Sequence, residues 1–262
     1  MFKLIFIIIF VAIAVFGLIW ALRFNRGKKA LIEAFENDNV IVFGLKGHGK
    51  DLIFNKTINS RNTTCYANIP YNKELCVVRS LQEFSVAPNT SLDVLNDDIT
   101  TIKKVNKENC DLYISDGGIF LPSHLSNTLV KKYPSLPIYY ALNRHLTNSN
   151  IHINTQYLGR VWDKLREHAG YYIKACQTTK IFGFLITRFI IYNKYDSAMS
   201  QLEPYKATGL IKRSESRANE EDFLSKHGEV KQYYIIQHKS KIYYDSRYFH
   251  KKFYGYNSPD TV

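Results

Sequence analysis

The chain has 262 residues, enough for one sizeable core with appendages and too few for two full domains. Its composition, 45% hydrophobic and 14% aromatic, excludes the disordered and collagen-like classes. A balance of 35 basic to 23 acidic residues, net +12, points to an anionic partner. DNA, phospholipid and nucleotide phosphate all stay open, beside a merely solvated basic surface. Cys65, Cys76, Cys110 and Cys176 are scattered without a CxxC pair, and the eight histidines are dispersed. That spacing argues against a zinc site and for small buried thiols in a reducing compartment.

Leu4 to Leu22 is an uninterrupted apolar run, LIFIIIFVAIAVFGLIWAL, with Gly17 as its weak breaker. At a rise of about 1.5 Å per residue it nearly spans the roughly 30 Å hydrocarbon core. A cleaved signal peptide has a shorter apolar region and a small-x-small site behind it. Here the run ends in Ala21-Leu22-Arg23, so an uncleaved anchor is favoured. Lys3 precedes the run, whereas Arg23, Arg26, Lys28 and Lys29 follow it. Positive charge stays inside, which predicts a single-pass helix with its N-terminus out and the soluble part in the cytoplasm. Trp20 sits at that inner end, where a belt aromatic belongs. Residues 1–29 are thus read as anchor and basic flank.

Ala30 to Glu36 reads as a short helix leading from the membrane. Asn39 to Phe43 is β-branched and apolar, a buried strand, and Lys50 to Ser60 follows as a helix. Cys65 to Ile69 is expected as a second strand closed by Pro70, and 81–106 as loops with helix. Asp111 to Ser115 is another strand, and Ser126 to Lys132 and Ile138 to His145 are helices. Ile151 to Thr155 alternates like a strand, Val161 to Ala169 is a helix, and Tyr171 to Cys176 returns as strand. This alternation predicts an α/β domain over 30–179, with a parallel β-sheet flanked by helices. Beyond it, 180–262 reads as a strand-rich C-terminal extension, with Phe182 to Tyr192 and Gln232 to Tyr244 as apolar segments around a charged 212–225.

The strongest motif is Gly44-Leu-Lys-Gly47-His48-Gly49-Lys50-Asp51, a GxxxxGK loop directly after a predicted strand and opening a helix. Glycines let backbone N–H groups turn inward around phosphate oxygens, and the helix N-terminus adds partial positive charge. Gly44, Gly47, His48, Gly49, Lys50 and Asp51 are therefore candidate ATP-binding residues, with Lys50 on the β/γ-phosphates. A glycine-rich strand–helix turn without a ligand is the plain alternative. Asp51 stands where Ser or Thr normally holds magnesium through its hydroxyl; a carboxylate can coordinate the ion but brings negative charge beside the phosphates. Leu112-Tyr-Ile-Ser-Asp116 has the Walker B pattern, so Asp51 and Asp116 are the candidate magnesium ligands. The next residue, where an acid often polarises the attacking water, is Gly117, which makes hydrolysis less secure than binding. A polar tip at Asn154-Thr155-Gln156 offers Gln156 to the γ-phosphate or its water. Arg160, Lys164 and Arg166 follow; Arg160 is the candidate arginine finger, against a solvated helix face.

The order of these segments resembles the zonula occludens toxin (Zot) family, which includes assembly ATPases of filamentous phages and is related to FtsK/HerA DNA-pumping motors. The resemblance rests on GLKGHGKD (44–51), YANIP (66–70), LYISDGGIFLPS (112–123), NRH (143–145) and NTQYLGRVWDKLRE (154–167), over roughly 38–178. The ending YYDSRYFHKKFYG (243–255) is similar to phage-encoded members. The resemblance implies a P-loop NTPase of the ASCE type, with Lys50 as phosphate lysine, Asp116 as Walker B aspartate and Gln156 as sensor-like residue. Asp51 and Gly117 break the pattern, and the membrane span precedes the ATPase domain where many relatives carry it after.

Two functions from different classes follow. One is a membrane-anchored, ATP-driven motor of filamentous phage assembly and extrusion, working as a homo-oligomer with phage coat proteins and phage DNA at the host inner membrane. The other is a non-hydrolysing, nucleotide-binding structural component of the assembly site. A cellular FtsK/HerA-like DNA translocase is a third. Supplying an acid at 117 together with Asp51→Ser is expected to raise hydrolysis.

Overall fold

The computed structural model describes residues 2–72, 74–78, 109–132, 140–141, 143–145, 147–193 and 232–244. Its first element, helix α1 (Phe2–Asn37), runs unbroken through the predicted junction between the anchor and a separate short helix. The charged residues after Leu22 had suggested that break, yet Arg and Lys are good helix formers and only Gly27 is a weak one. Among the described residues this is the one helix long and apolar enough to cross a membrane. Its first half exposes large apolar side chains such as Phe6, Phe10 and Phe16. Its last turns bury Leu31, Ala34 and Phe35, an i, i+3, i+4 set, in the core.

Seven further strands join the one after this helix in an eight-stranded sheet. Strand β1 (Val40–Phe43) lies between β5 (Ile151–Thr155) and β6 (Tyr171–Ile181), parallel to both. Beyond β5 come β4 (Leu112–Ile114), β2 (Cys65–Ala67) and β3 (Cys76–Val78), all parallel. Beyond β6 the sheet turns antiparallel, through β7 (Phe184–Asn193) and β8 (Gln232–His238). Because β1 is covered on both sides, its alternate residues feed two cores. Ile41 and Phe43 join Trp162 and Leu165 on one face; Val40 and Val42 join Phe35, Phe54 and Tyr113 on the other. Between the strands the chain also forms helices α2 (Lys50–Arg61), α3 (Gly117–Phe120), α4 (Ser126–Lys132) and α5 (Asp163–Arg166).

The sheet runs straight across the expected 179/180 boundary, which falls inside β6. The helix expected over Val161 to Ala169 contracts to α5. Val161 forms an antiparallel bridge with Pro122, and the Trp162 N–H donates to the Leu121 carbonyl at 2.8 Å, so both residues are held extended. The expectations for 81–106 and 212–225 lie outside the described residues. The β6–β7 connection is a two-residue turn with positive φ at both positions, 44° at Phe182 and 80° at Gly183. That geometry matches the strand twist but normally takes Asn-Gly; a bulky residue there costs about 1–3 kcal/mol of strain.

The end of α1 is tied beneath the sheet by a buried polar network. Asn150 donates to the carbonyls of Phe35 and Glu36 at 3.1 and 3.0 Å, taking up oxygens that a helix terminus leaves without partners. Beside it the Arg61 guanidinium pairs with the Asp111 carboxylate, which also accepts from the Asn150 N–H at 2.8 Å and meets His152 Nε2 at 3.3 Å. His152 is fully buried against the Phe35 and Tyr113 rings, and its Nδ1 has no partner among the described residues. Burial therefore lowers its pKa from the ordinary 6.5, although Asp111 pulls the other way. Burial would raise the Asp111 carboxyl, but the hydrogen bond from His152 and the Arg61 charge outweigh it and hold it low.

Both shifts have the same sign but different windows, because in each case the unfolded chain binds a proton that the folded chain refuses. The His152 contribution is full above its ordinary 6.5 and is lost as pH falls below it, whereas the Asp111 contribution persists down to the ordinary carboxyl value of 3.8. The urea midpoint of the full chain in detergent should drop between pH 7.5 and 5.5. His152→Gln, whose amide can still donate to Asp111 without titrating, should flatten that slope; an unchanged slope would contradict the assignment.

Candidate functional site

Strand β1 ends at Phe43 and the chain turns at once through Gly44 to Gly49 into α2. Gly49 caps the helix with φ +91°, and a Cβ there would lie 2.2 Å from Thr178 Oγ1 on β6. Both the backbone conformation and the close approach demand glycine. The first N–H groups of α2 have no intrahelical acceptor, so they point out of the helix end together with its partial positive charge. Lys50 is buried, and its Nζ donates to the carbonyls of Gly44 at 2.8 Å and Leu45 at 3.2 Å. The ammonium thus lies within the loop. Burial lowers its pKa, offset by the nearby Asp51 and Asp116 carboxylates. His48 Nδ1 lies 3.2 Å from the Ala175 carbonyl, seating the loop against β6, while Gly47 has open space around it. The unpaired N–H groups at the start of α2 and one ammonium form a donor set suited to phosphate oxygens.

Asp51 opens α2 and turns its carboxylate toward the sheet. Its Oδ1 accepts from Tyr71 Oη at 2.8 Å, Asn154 Nδ2 at 2.8 Å and Ser115 Oγ at 3.3 Å. Tyr71 and Ser115 also bond directly to each other. Tyr71 is fully buried, and burial together with the Asp51 charge pushes its phenol well above 10. Asn154 spans the site: its Oδ1 accepts the Asp116 N–H at 2.8 Å while its Nδ2 serves Asp51.

Asp116 follows β4 with φ 53°, a left-handed conformation that its N–H bond to Asn154 Oδ1 helps to hold. Its carboxyl pKa is raised by burial and by Asp51, with Lys50 pulling it down. Two carboxylates and one lysine therefore share the end of the sheet, the charge arrangement that a divalent cation would relieve. Asp116, Gln156 and Arg160 line one small recess with Gly118, Ile119 and Thr155. The Arg160 guanidinium is exposed and stacks over the Tyr157 ring at 4.6 Å. Lys164 pairs with Glu167 at 3.8 Å, and Arg166 Nε donates to the Val161 carbonyl. The packing at Gly117 runs against one expectation: a Cβ there would lie 2.2 Å from Ile153 Cγ2, so an acid at this position would have to displace that methyl.

Reading the sequence picked out the strand tip at 154–156 but missed Asn154 itself, together with Tyr71 and Ser115. Their signal was faint: an Asn in a strand of otherwise apolar type, and a buried tyrosine just after Pro70.

The strand order and the loop define the class. A GxxxxGK loop between β1 and α2, and a polar-tipped β5 interposed between β1 and the aspartate strand β4, make this a P-loop NTPase fold with a parallel sheet and a strand-rich C-terminal part. No protein-family model matches the chain, and no curated protein matches its sequence. Solved structures do match. The genome packaging NTPase B204 from Sulfolobus turreted icosahedral virus 2, in complex with ATP-gammaS, is 13% identical and aligns over 60% of this chain and 93% of its own, with TM-score 0.36. The N-terminal domain of zonular occludens toxin from Neisseria meningitidis is 15% identical over 60% and 83%, with TM-score 0.38. A KaiC-like protein from Pyrococcus horikoshii is 12% identical over 61% and 80%, with TM-score 0.34.

The packing at Gly117 gives a direct test. Gly117→Glu should destabilise the chain by about 1–3 kcal/mol, as expected of overpacking, and should not raise nucleotide hydrolysis. A stable, faster variant in an unfolding and phosphate-release comparison would contradict the steric reading.

Proposed function

We propose that the chain is a membrane-anchored, ATP-binding protein of filamentous phage assembly and extrusion, held by α1 in the host inner membrane with its soluble part in the cytoplasm. The observation that carries this reading is Lys50, buried within the loop and flanked by the Asp51 and Asp116 carboxylates, in a chain whose first helix carries an apolar span. Bound ATP would be held by the loop N–H groups from Gly44 to Gly49 and by Lys50. Magnesium, held at Asp116 with Asp51 nearby, would supply charge neutralisation of the β/γ-phosphates. Gln156 and Thr155 line the same recess as Asp116 and would orient water or sense the phosphate. Arg160, exposed at the recess mouth, would reach a nucleotide on a neighbouring subunit of a homo-oligomer. Phage DNA and coat proteins would be the cargo of such an oligomer, and the excess of basic residues is compatible with DNA.

A second reading is favoured by two observations. The Asp51 Oδ1 is already bonded by three side chains, and Gly117 leaves no place for an acid that would activate water. A nucleotide-binding component that hydrolyses slowly or not at all, serving as a structural part of the assembly site, fits these facts. The two readings separate in one measurement. Phosphate release by the full chain in lipid nanodiscs, with magnesium and with or without single- and double-stranded DNA, should be slow, accelerated by DNA, and lowered at least about tenfold by Gln156→Ala. No turnover under any condition, with ATP still bound, would overturn the motor in favour of the structural role.

A further inference from the structure

The nucleotide loop and the N-terminal half of α1 leave the domain from the same end of the sheet. Helix α1 reaches β1 through a tight reversal at 38–39, so toward its own N-terminus it climbs alongside the strands to their C-terminal ends. Gly27 marks that level: a Cβ there would lie 2.1 Å from the Tyr234 carbonyl oxygen. Tyr234 pairs with Arg188, which pairs with Gln177, three residues beyond the Lys174 that faces the last residue of β1. Trp20 packs edge-on against the same Tyr234 ring at 5.6 Å, and the Arg23 guanidinium lies over Trp20.

The β6–β7 hairpin projects from that same end. From Thr178, beside Gly49, it continues four residues to Phe182, about 13 Å at strand rise. Over the same interval α1 rises about 10 Å from Gly27 to Trp20, which lies just inside the apolar run that ends at Leu22. The tip is apolar and fully open: Phe182 is 97% exposed, Ile181 45% and Phe184 41%. Phe182 holds its solvent-facing ring on a left-handed backbone that ordinarily selects Asn or Gly, so neither packing nor backbone preference accounts for it. Lys180 is exposed on the rising strand. The Lys239 N–H donates to the Gly183 carbonyl at 2.9 Å, which seats the exposed Lys239–Lys241 turn beside the tip. Residues 171–193 and 232–244 contain no Asp or Glu. Aromatic side chains ringed by lysines, with no carboxylate among them, are the composition of a surface that enters an anionic lipid headgroup layer.

We propose that the β6–β7 hairpin tip, Ile181, Phe182 and Phe184 with Lys180 and Lys239, is a second lipid contact that inserts into the anionic leaflet through which α1 passes. The inference rests on the reading of α1 as the membrane anchor. Together helix and hairpin make two feet on one bilayer, which sets the tilt of the domain and turns the end of the sheet that carries the nucleotide loop toward the lipid surface. A single helix would leave the domain free to swivel about its axis.

Tryptophan fluorescence of the full chain, reconstituted in vesicles of phosphatidylglycerol and phosphatidylethanolamine, tests this. The emission added by Phe182→Trp, taken as the difference from the parent, should be blue-shifted and should lose most of its intensity when the acyl chains are brominated near the headgroup. The loss should shrink when phosphatidylcholine replaces phosphatidylglycerol or when Lys180 and Lys239 are changed to Glu. Phe184→Trp, in ordinary strand conformation, should behave alike and covers misfolding of the first variant. Added emission that is quenched by aqueous iodide, or that is blue-shifted yet insensitive to brominated lipid because the tip is covered by a second copy or another protein, would overturn the proposal. Trp20 separates the two claims, since Trp162, the parent's other tryptophan, is fully buried in the protein core beyond the reach of lipid. If Trp20 is quenched by brominated lipid and the tip is not, the anchor stands and the second contact falls; if neither is quenched, the anchor reading fails and the tip proposal with it.

Discussion

The site depends on the side-chain amide of Asn154. It is buried at the tip of the strand that separates β1 from β4, and each end of the amide holds one of the two acidic residues. Its oxygen accepts the N–H of Asp116, which sits in left-handed conformation at the end of β4; its nitrogen donates to the carboxylate of Asp51 at the start of α2. A buried amide that meets all its partners costs little, whereas one that loses a partner costs about 1–3 kcal/mol, so this geometry is held firmly. The backbone of Asp116 and the carboxylate of Asp51, the two acids beside Lys50, are thus tied to that single residue. Tyr71 and Ser115 complete the cluster by adding hydroxyl donors to the same Asp51 oxygen.

That arrangement occupies one Asp51 oxygen with side-chain donors at the position where the motif normally places a magnesium hydroxyl. A Ser or Thr at this position would leave the Tyr71 hydroxyl and the Asn154 amide without their charged acceptor. The departure at position 51 and the polar cluster around it therefore form one unit, in which a charge at the helix N-terminus is stabilised by the helix dipole as well as by three donors. The departure at position 117 has a different cause. Ile153 on β5 presses against the backbone there, and the space an acidic side chain needs is filled by its methyl group.

The parts of this protein legible in the sequence are those set by local patterning. The apolar run of α1, the strand–glycine–helix sequence at 39–61, the aspartate strand at 111–116 and the βα alternation all lie within single segments, and each was located by period and punctuation. The parts that were not legible depend on strand order. Asn154 meets Asp51 and Asp116 only because β5 is inserted between β1 and β4, and Ile153 crowds Gly117 for the same reason. The continuity of α1 was missed for another cause: a change from apolar to basic residues after Leu22 looks like an ending, yet nothing there stops a helix. Phe182 likewise opens an apolar segment in the sequence, whereas in the fold it occupies the turn before β7.

The account as a whole stands on nucleotide binding at the loop that ends in Lys50. Equilibrium binding of ATP with magnesium to the full chain in detergent, compared between the parent and Lys50→Ala, tests it most directly. Loss of one charge-assisted phosphate contact predicts an affinity lower by roughly 10- to 150-fold, with an unchanged unfolding midpoint in the absence of nucleotide. Equal affinity in the two proteins, or no measurable binding by the parent, would contradict the assignment of this loop as a phosphate site.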